Sequence, residues 1–332
     1  IIATLAACLG LLYLARGLRA IGRSIATKIG RRTSWPFTVR TLLGGISVFV
    51  GVLVVVAAGL ALSMVFFNKM NNSTAGQTPP SSTLRSGGPG SVVPWQSLGN
   101  EGRDFVSGGP SPSQIQTVTQ RPALEPIRIY TGLESANSLQ DQANLALEDL
   151  KRAGGLKRKA IIVYTPSTNG LVDPTASEAA EYVMGGDVTS VSMQYTVLPS
   201  FLSIMLSQST SLDSGTILFQ TVRNAIDELP VSARPKLYVY GESLGAFGSQ
   251  APFTNLGIAG LTNQADGALW AGPPANSAYW QQISAMSTSG PTWAPIVEDG
   301  SVIRFAADEA GLAQPPSVWG PKRGVFLQNA TD

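Results

Sequence analysis

The 332 residues contain no histidine and a single cysteine. Without histidine, the chain lacks the commonest general base and the commonest metal-binding imidazole. Cys8 by itself can form no intrachain disulfide and no cysteine-based metal site. Neither a metal nor a cofactor is therefore expected. Acidic residues are also missing from the first 100 positions, Glu101 being the first. Over residues 1–67 all charge is of one sign: Arg16, Arg19, Arg23, Lys28, Arg31, Arg32 and Arg40. Setting these seven aside leaves 16 basic against 21 acidic residues, a net charge of −5. The overall +2 thus describes no single surface and gives no support for nucleic-acid binding.

Two apolar runs flank the basic residues. Thr41 to Phe67 holds 27 residues without charge, long enough to cross roughly 30 Å of hydrocarbon with some tilt. Ile1 to Leu14 is too short for a complete span and reads as the end of one that begins upstream. The basic loop between the runs is expected in the cytoplasm, with the chain after Phe67 on the outer face of a multi-pass cell-membrane protein. The lipid bilayer, including its anionic headgroups, is the expected partner.

Residues 68–125 form a Pro/Gly/Ser-rich connector. Asn71 to Gly90 is polar and turn-rich, and disorder is expected in its first half. Leu84 to Val106 carries Val92, Val93, Trp95, Leu98, Phe105 and Val106 and is expected to pack on the domain that follows.

From residue 126 to 332, strand and helix patterns alternate. Strands are expected at Ile127–Tyr130, Ala160–Tyr164, Val188–Met193, Leu237–Tyr240, Ala268–Trp270, Val302–Phe305 and Val325–Leu327. Helices are expected at Leu139–Leu150, Ala176–Met184, Leu198–Leu206 and Thr216–Leu229. The fold class is α/β, a mostly parallel sheet with helices on both faces, preceded by transmembrane helices. About 200 residues suffice for one core.

Gly241-Glu242-Ser243-Leu244-Gly245 spells G-x-S-x-G, directly after the strand Lys236 to Tyr240 and before a short helical stretch. Strand, tight turn, helix is the context in which this pattern forms a nucleophile elbow. The serine must stand on a strained turn clear of the sheet, and Gly241 and Gly245 are needed where a side chain would strike neighbouring backbone. Ser243 is the expected nucleophile, at the carboxyl end of its strand.

The chain resembles the actinobacterial membrane-anchored α/β-hydrolase family, in which several N-terminal spans precede an extracytoplasmic hydrolase domain. The resemblance rests on Ser86-Gly87-Gly88-Pro89-Gly90-Ser91 with Pro94-Trp95, on Arg128-Ile129-Tyr130-Thr131-Gly132-Leu133, on Thr165-Pro166-Ser167-Thr168-Asn169-Gly170 with Val172-Asp173-Pro174, on Gly241 to Gly245, and on Leu269-Trp270-Ala271-Gly272-Pro273-Pro274. In α/β-hydrolases the triad runs serine, acid, histidine, the acid following a late strand. Asp332, shortly after Val325 to Gln328, is the expected acid, and Asp308 is its rival. The resemblance implies a proline after that acid and a histidine in a Gly-rich loop further on, so the base is expected past Asp332. One oxyanion donor is expected from the Leu244 amide. The other is expected from the loop after Ala160–Tyr164, from Ser167 or Thr168, because Pro166 has no N–H. Tyr195 to Phe219 is rich in Leu, Met, Phe and Ile and reads either as an apolar cap over the serine or as core helix.

These features point first to a membrane-anchored serine esterase or lipase-like hydrolase acting on an ester or acyl substrate of the cell envelope. An acyltransferase shares the same first half-reaction. A non-catalytic envelope scaffold on a hydrolase fold is the third reading. Without an imidazole, the 332 residues alone are expected to be essentially inactive on simple esters.

Overall fold

The computed structural model describes residues 2–31 and 35–330. Two compact units are present, Ile1–Phe66 and Phe67–Asp332. The first holds helix α1 (Ile2–Gly30) and most of helix α2 (Phe37–Asn72), whose last turn belongs to the second unit. Among the described residues α2 alone is long and apolar enough to cross a membrane, with a mean hydropathy of 2.7 over a window none of which is buried. A second span is not shown among the described residues. Ile1 to Leu14 does not stand apart from the basic residues, because one helix, α1, carries this run and Arg16, Arg19, Arg23 and Lys28 together.

The second unit contains helices α3 (Gly99–Ser107), α4 (Pro112–Thr119), α5 (Leu139–Arg152), α6 (Pro174–Val183), α7 (Ser200–Leu206), α8 (Gln208–Asp227), α9 (Leu244–Ser249), α10 (Gly257–Gln264), α11 (Ala278–Ser284) and α12 (Glu309–Leu312). Its strands are β1 (Ile127–Thr131), β2 (Ala160–Thr165), β3 (Val188–Met193), β4 (Lys236–Glu242), β5 (Gly267–Ala271), β6 (Ser287–Ser289), β7 (Ile296–Val297), β8 (Ile303–Ala306) and β9 (Arg323–Leu327). Seven strands form one sheet in the order β1-β3-β2-β4-β5-β9-β8. Every neighbouring pair in it is parallel. The seven strands read from the sequence are these seven. The small β6–β7 hairpin was not expected, since its strands are too short to show alternation. Helix α8 begins at Gln208, well before the apolar pattern that starts at Thr216.

The sheet explains its own sequence. β1, β2 and β3 are buried along their whole length, and β2, Ala160–Thr165, reads as a nearly continuous apolar run. Register aligns Ile129, Val163, Val191, Val239 and Ala268 on one face, where α5 and α8 supply Ala143, Leu150, Leu218 and Val222 to the main core. The opposite face carries Tyr130, Ile162 and Tyr164 against Trp95, Leu98, Phe105 and Val106. There a buried bidentate pair joins Arg128 to Glu181, both contacts being 2.8 Å.

The connector is not a loose linker. The Ser86 amide donates to the Arg128 carbonyl at 3.1 Å, and Ser86 Oγ donates to Asp149 at 2.6 Å. Buried Arg103 donates to Gln77 and to the Asn71 and Ser73 carbonyls, drawing the end of α2 against α3. The disorder expected in the first half of Asn71 to Gly90 is corrected: Asn71, Ser73 and Gln77 all accept from Arg103, and the packing expected from Leu84 onward is present.

Candidate active site

Strand β4 lies near the middle of the sheet, between β2 and β5. It ends at Glu242, and α9 begins at Leu244, so Ser243 alone makes the turn. Its backbone sits at φ 52°, ψ −120°. That conformation is rare for any residue with a side chain and represents stored strain. Two contacts hold it: the Ser243 amide donates to the Ala271 carbonyl of β5 at 2.8 Å, and its carbonyl accepts from the Phe247 amide at 3.1 Å. The Ser243 side chain is half-buried, and its Oγ has no hydrogen-bond partner among the described residues.

The flanking glycines are required by packing. A Cβ on Gly241 would overlap the Gly245 carbonyl, lying 2.5 Å from its carbon. A Cβ on Gly245 would overlap the Thr165 carbonyl oxygen and meet Pro166 at 3.1 Å. The second contact brings the loop after β2 directly over the start of α9. Register agrees, since Thr165 lies opposite Gly241 and Pro166 to Thr168 continue beside the elbow. Leu244 opens α9, so its amide has no partner within the helix.

The loop itself is tightly tied. The Ser167 amide donates to the Leu171 carbonyl at 2.9 Å, and the Ser167 carbonyl accepts from the Gly170 and Leu171 amides. Of the two loop residues expected from sequence, Ser167 has its N–H engaged within the turn. Thr168 sits at φ 43°, and its N–H has no partner among the described residues. Tyr130 donates to the Gly170 carbonyl at 2.7 Å, and Gln194 donates to the Asn169 carbonyl and to Asn71 Oδ1. The Asn169 side chain donates to Glu101 at 2.8 Å. Beside this loop lies a cavity of about 460 Å³, lined by Thr168, Asn169, Asn100, Glu101, Val197 and Pro199 among others.

These supporting residues were missed by sequence reasoning. Gln194 follows β3 directly, and a buried amide at the carboxyl end of a parallel strand was the one available signal. A second omission is the acidic pair beside the elbow. Burial, and then the charge of Asp173, push the Glu242 carboxyl above its usual range.

Asp332 lies outside the described residues. Its rival Asp308 is exposed and accepts from the Gly311 amide at 2.7 Å as the cap of α12. It follows β8, an edge strand separated from β4 by β5 and β9. In the segment 195–219, Leu218 and Phe219 belong to the main core, as expected of core helix. Tyr195 and Leu212 pack with Leu244 and Phe247, whereas Ile204, Met205 and Leu206 of α7 are exposed. Burial pushes the Tyr195 hydroxyl up to about 12, so it stays protonated. Among the described residues no cluster of three or more metal-binding side chains occurs.

With this geometry in hand, two family matches cover almost the whole chain. Residues 127–332 match the family described as "Alpha/beta-hydrolase family", and residues 1–110 match "Alpha/beta-hydrolase family N-terminus". The chain belongs to this α/β-hydrolase family. Among curated proteins none matches this α/β-hydrolase. Two solved structures of acetylxylan esterase are similar to it. One, determined at 0.90 Å resolution, shares 14% identity over 51% of this chain and 81% of its own, with a TM-score of 0.29. The other, an iodinated complex at 1.80 Å, shares 13% over 52% of this chain and 88% of its own, with a TM-score of 0.27. Likenesses of that size carry no weight on substrate or mechanism.

Proposed function

We propose that this α/β-hydrolase is a membrane-anchored serine esterase whose nucleophile is Ser243. The observation that carries the reading is the backbone of Ser243: a residue with a side chain, held at positive φ between a central parallel strand and a helix start, with no room for a Cβ at either flanking glycine. Strain of this kind is kept where it aims a reactive group. Ser243 Oγ attacks the ester carbonyl carbon and gives its proton to an imidazole. Asp332 orients that imidazole, which the 332 residues themselves do not hold. The amides of Leu244 and Thr168 receive the charge that develops on the carbonyl oxygen. The alcohol leaves with the proton from the imidazole. Water then attacks the acyl-enzyme, releasing the acid and restoring the Ser243 hydroxyl. Helix α2 supports a bilayer anchor, and the basic residues before it support a cytoplasmic loop with the hydrolase domain outside the cell. The substrate class is an ester or acyl group of the cell envelope.

The test is labelling of the membrane-borne protein with a fluorophosphonate, together with turnover of a p-nitrophenyl ester. Ser243→Ala should abolish both while leaving the melting behaviour of the domain nearly unchanged. Equal labelling of wild type and variant would remove Ser243 from the mechanism.

A further inference from the structure

We propose that the groove between α1 and α2 binds the phosphate of an anionic membrane lipid. The proposal rests on the reading that α2 crosses a bilayer. A cavity of about 640 Å³ lies between the two helices, with Arg19 and Arg23 of α1 and Arg40 of α2 on its wall. Arg19 and Arg23 are one helical turn apart and share a face. No carboxylate is available to them locally, since the chain has no acidic residue before Glu101. Among the described residues, the ion pairs include none of the three. Arg40 is held by its Nε, which donates to the Trp35 carbonyl at 2.5 Å. Three unneutralised guanidiniums facing one cavity repel each other, and an oxyanion that takes forked hydrogen bonds relieves this.

The walls favour a lipid over a free anion. Leu18, Phe37 and Val48 line the same cavity, and Phe37 is 76% exposed. The uncharged run begins at Thr41, directly after Arg40, so Arg40 sits where charge gives way to hydrocarbon, while Arg19 and Arg23 share the cavity wall with Gly45 and Val48 in the first two turns of that run. That is the depth of a phospholipid headgroup, with the apolar wall beside it for an acyl chain. The groove is preformed. A Cβ on Gly44 would stand 2.5 Å from the Gly22 carbonyl oxygen and 3.2 Å from Ala26 Cβ, so the two backbones meet there. Gly45 instead faces open space and lines the cavity.

The test is native mass spectrometry of the detergent-solubilised full protein with equimolar phosphatidylglycerol and phosphatidylcholine. One phosphatidylglycerol per chain should be retained in preference. A near-surface arginine contributes about fivefold in affinity, so the double variant Arg19→Gln/Arg23→Gln should lose roughly thirtyfold. Gly45→Leu fills the groove with every charge intact and should lose retention comparably. Arg16→Gln, outside the groove, should retain the lipid. Equal retention of both lipids, full retention by Gly45→Leu, or an equal loss in Arg16→Gln would overturn the site. Displacement of the lipid by inorganic phosphate alone would assign the groove to a free anion and overturn the lipid. Resistance of the protein to carbonate extraction from membranes reads the anchor separately, so a failure of the membrane reading is distinguishable from a failure of the groove.

Discussion

Replacing Ser243 by alanine and by glycine separates chemistry from backbone strain. Both variants lose the hydroxyl, so neither turns over ester. They differ in whether the residue tolerates φ 52°, ψ −120°. A non-glycine residue in such a region costs about 1–3 kcal/mol, which glycine does not incur. Against this, glycine loses more freedom on folding than alanine, worth about 0.5–1 kcal/mol. The difference favours the glycine variant by roughly 1 kcal/mol, or about 2–4 °C in melting temperature for a domain of this size. The sign is the informative quantity, because at an ordinary helical or strand position the same comparison favours alanine. The assay is thermal unfolding of both variants in one detergent, followed by tryptophan fluorescence. If Ser243→Ala melts above Ser243→Gly, the serine is not strained and the geometric argument for a nucleophile elbow fails.

Other substitutions probe the surroundings of the elbow. Gly245→Ala drives a methyl into the Thr165 carbonyl, which is backbone and cannot swing away; a loss of about 1–3 kcal/mol is expected, with a drop in labelling of Ser243, and an unchanged melting curve would refute the packing. Gln194→Ala strips the Asn169 carbonyl and Asn71 Oδ1 of a buried donor; at about 1–3 kcal/mol per unsatisfied group the variant should melt lower and turn over ester more slowly, while equal stability would mean that the network is dispensable. Glu242→Gln tests the raised carboxyl. In the folded state the proton is held more tightly, so the native form binds more protons than the unfolded chain and stability falls as pH rises from the ordinary carboxylate range through the raised folded value. The wild-type melting temperature should therefore drop more than that of the glutamine variant between about pH 4 and about pH 8, and parallel profiles would refute the shift.

Much of this was readable residue by residue. The Gly-x-Ser-x-Gly turn is a local device, since its requirements fall on five consecutive positions and the strand before them. The acidic pair was not readable, because Glu242 and Asp173 lie 69 positions apart and only neighbouring strands bring them together. Tyr130 looked like an ordinary strand aromatic, and only its hydroxyl on the Gly170 carbonyl gives it a part in the site.

The sequence by itself determined the alternation of strands and helices, the position of the elbow and the apolar run of α2. Each is written in short-range periodicity or in the steric demands of a single turn. Only the tertiary structure decided the strand order, which amide of the loop after β2 is left unpaired, and how residues 71–83 are tied to the domain. Those outcomes depend on which amides remain free and which buried polar groups meet, as when Gln194 reaches Asn71 across 123 positions. Hydrogen bonds of that range leave no period in the chain, because their partners are chosen by the packed sheet and not by their neighbours in sequence.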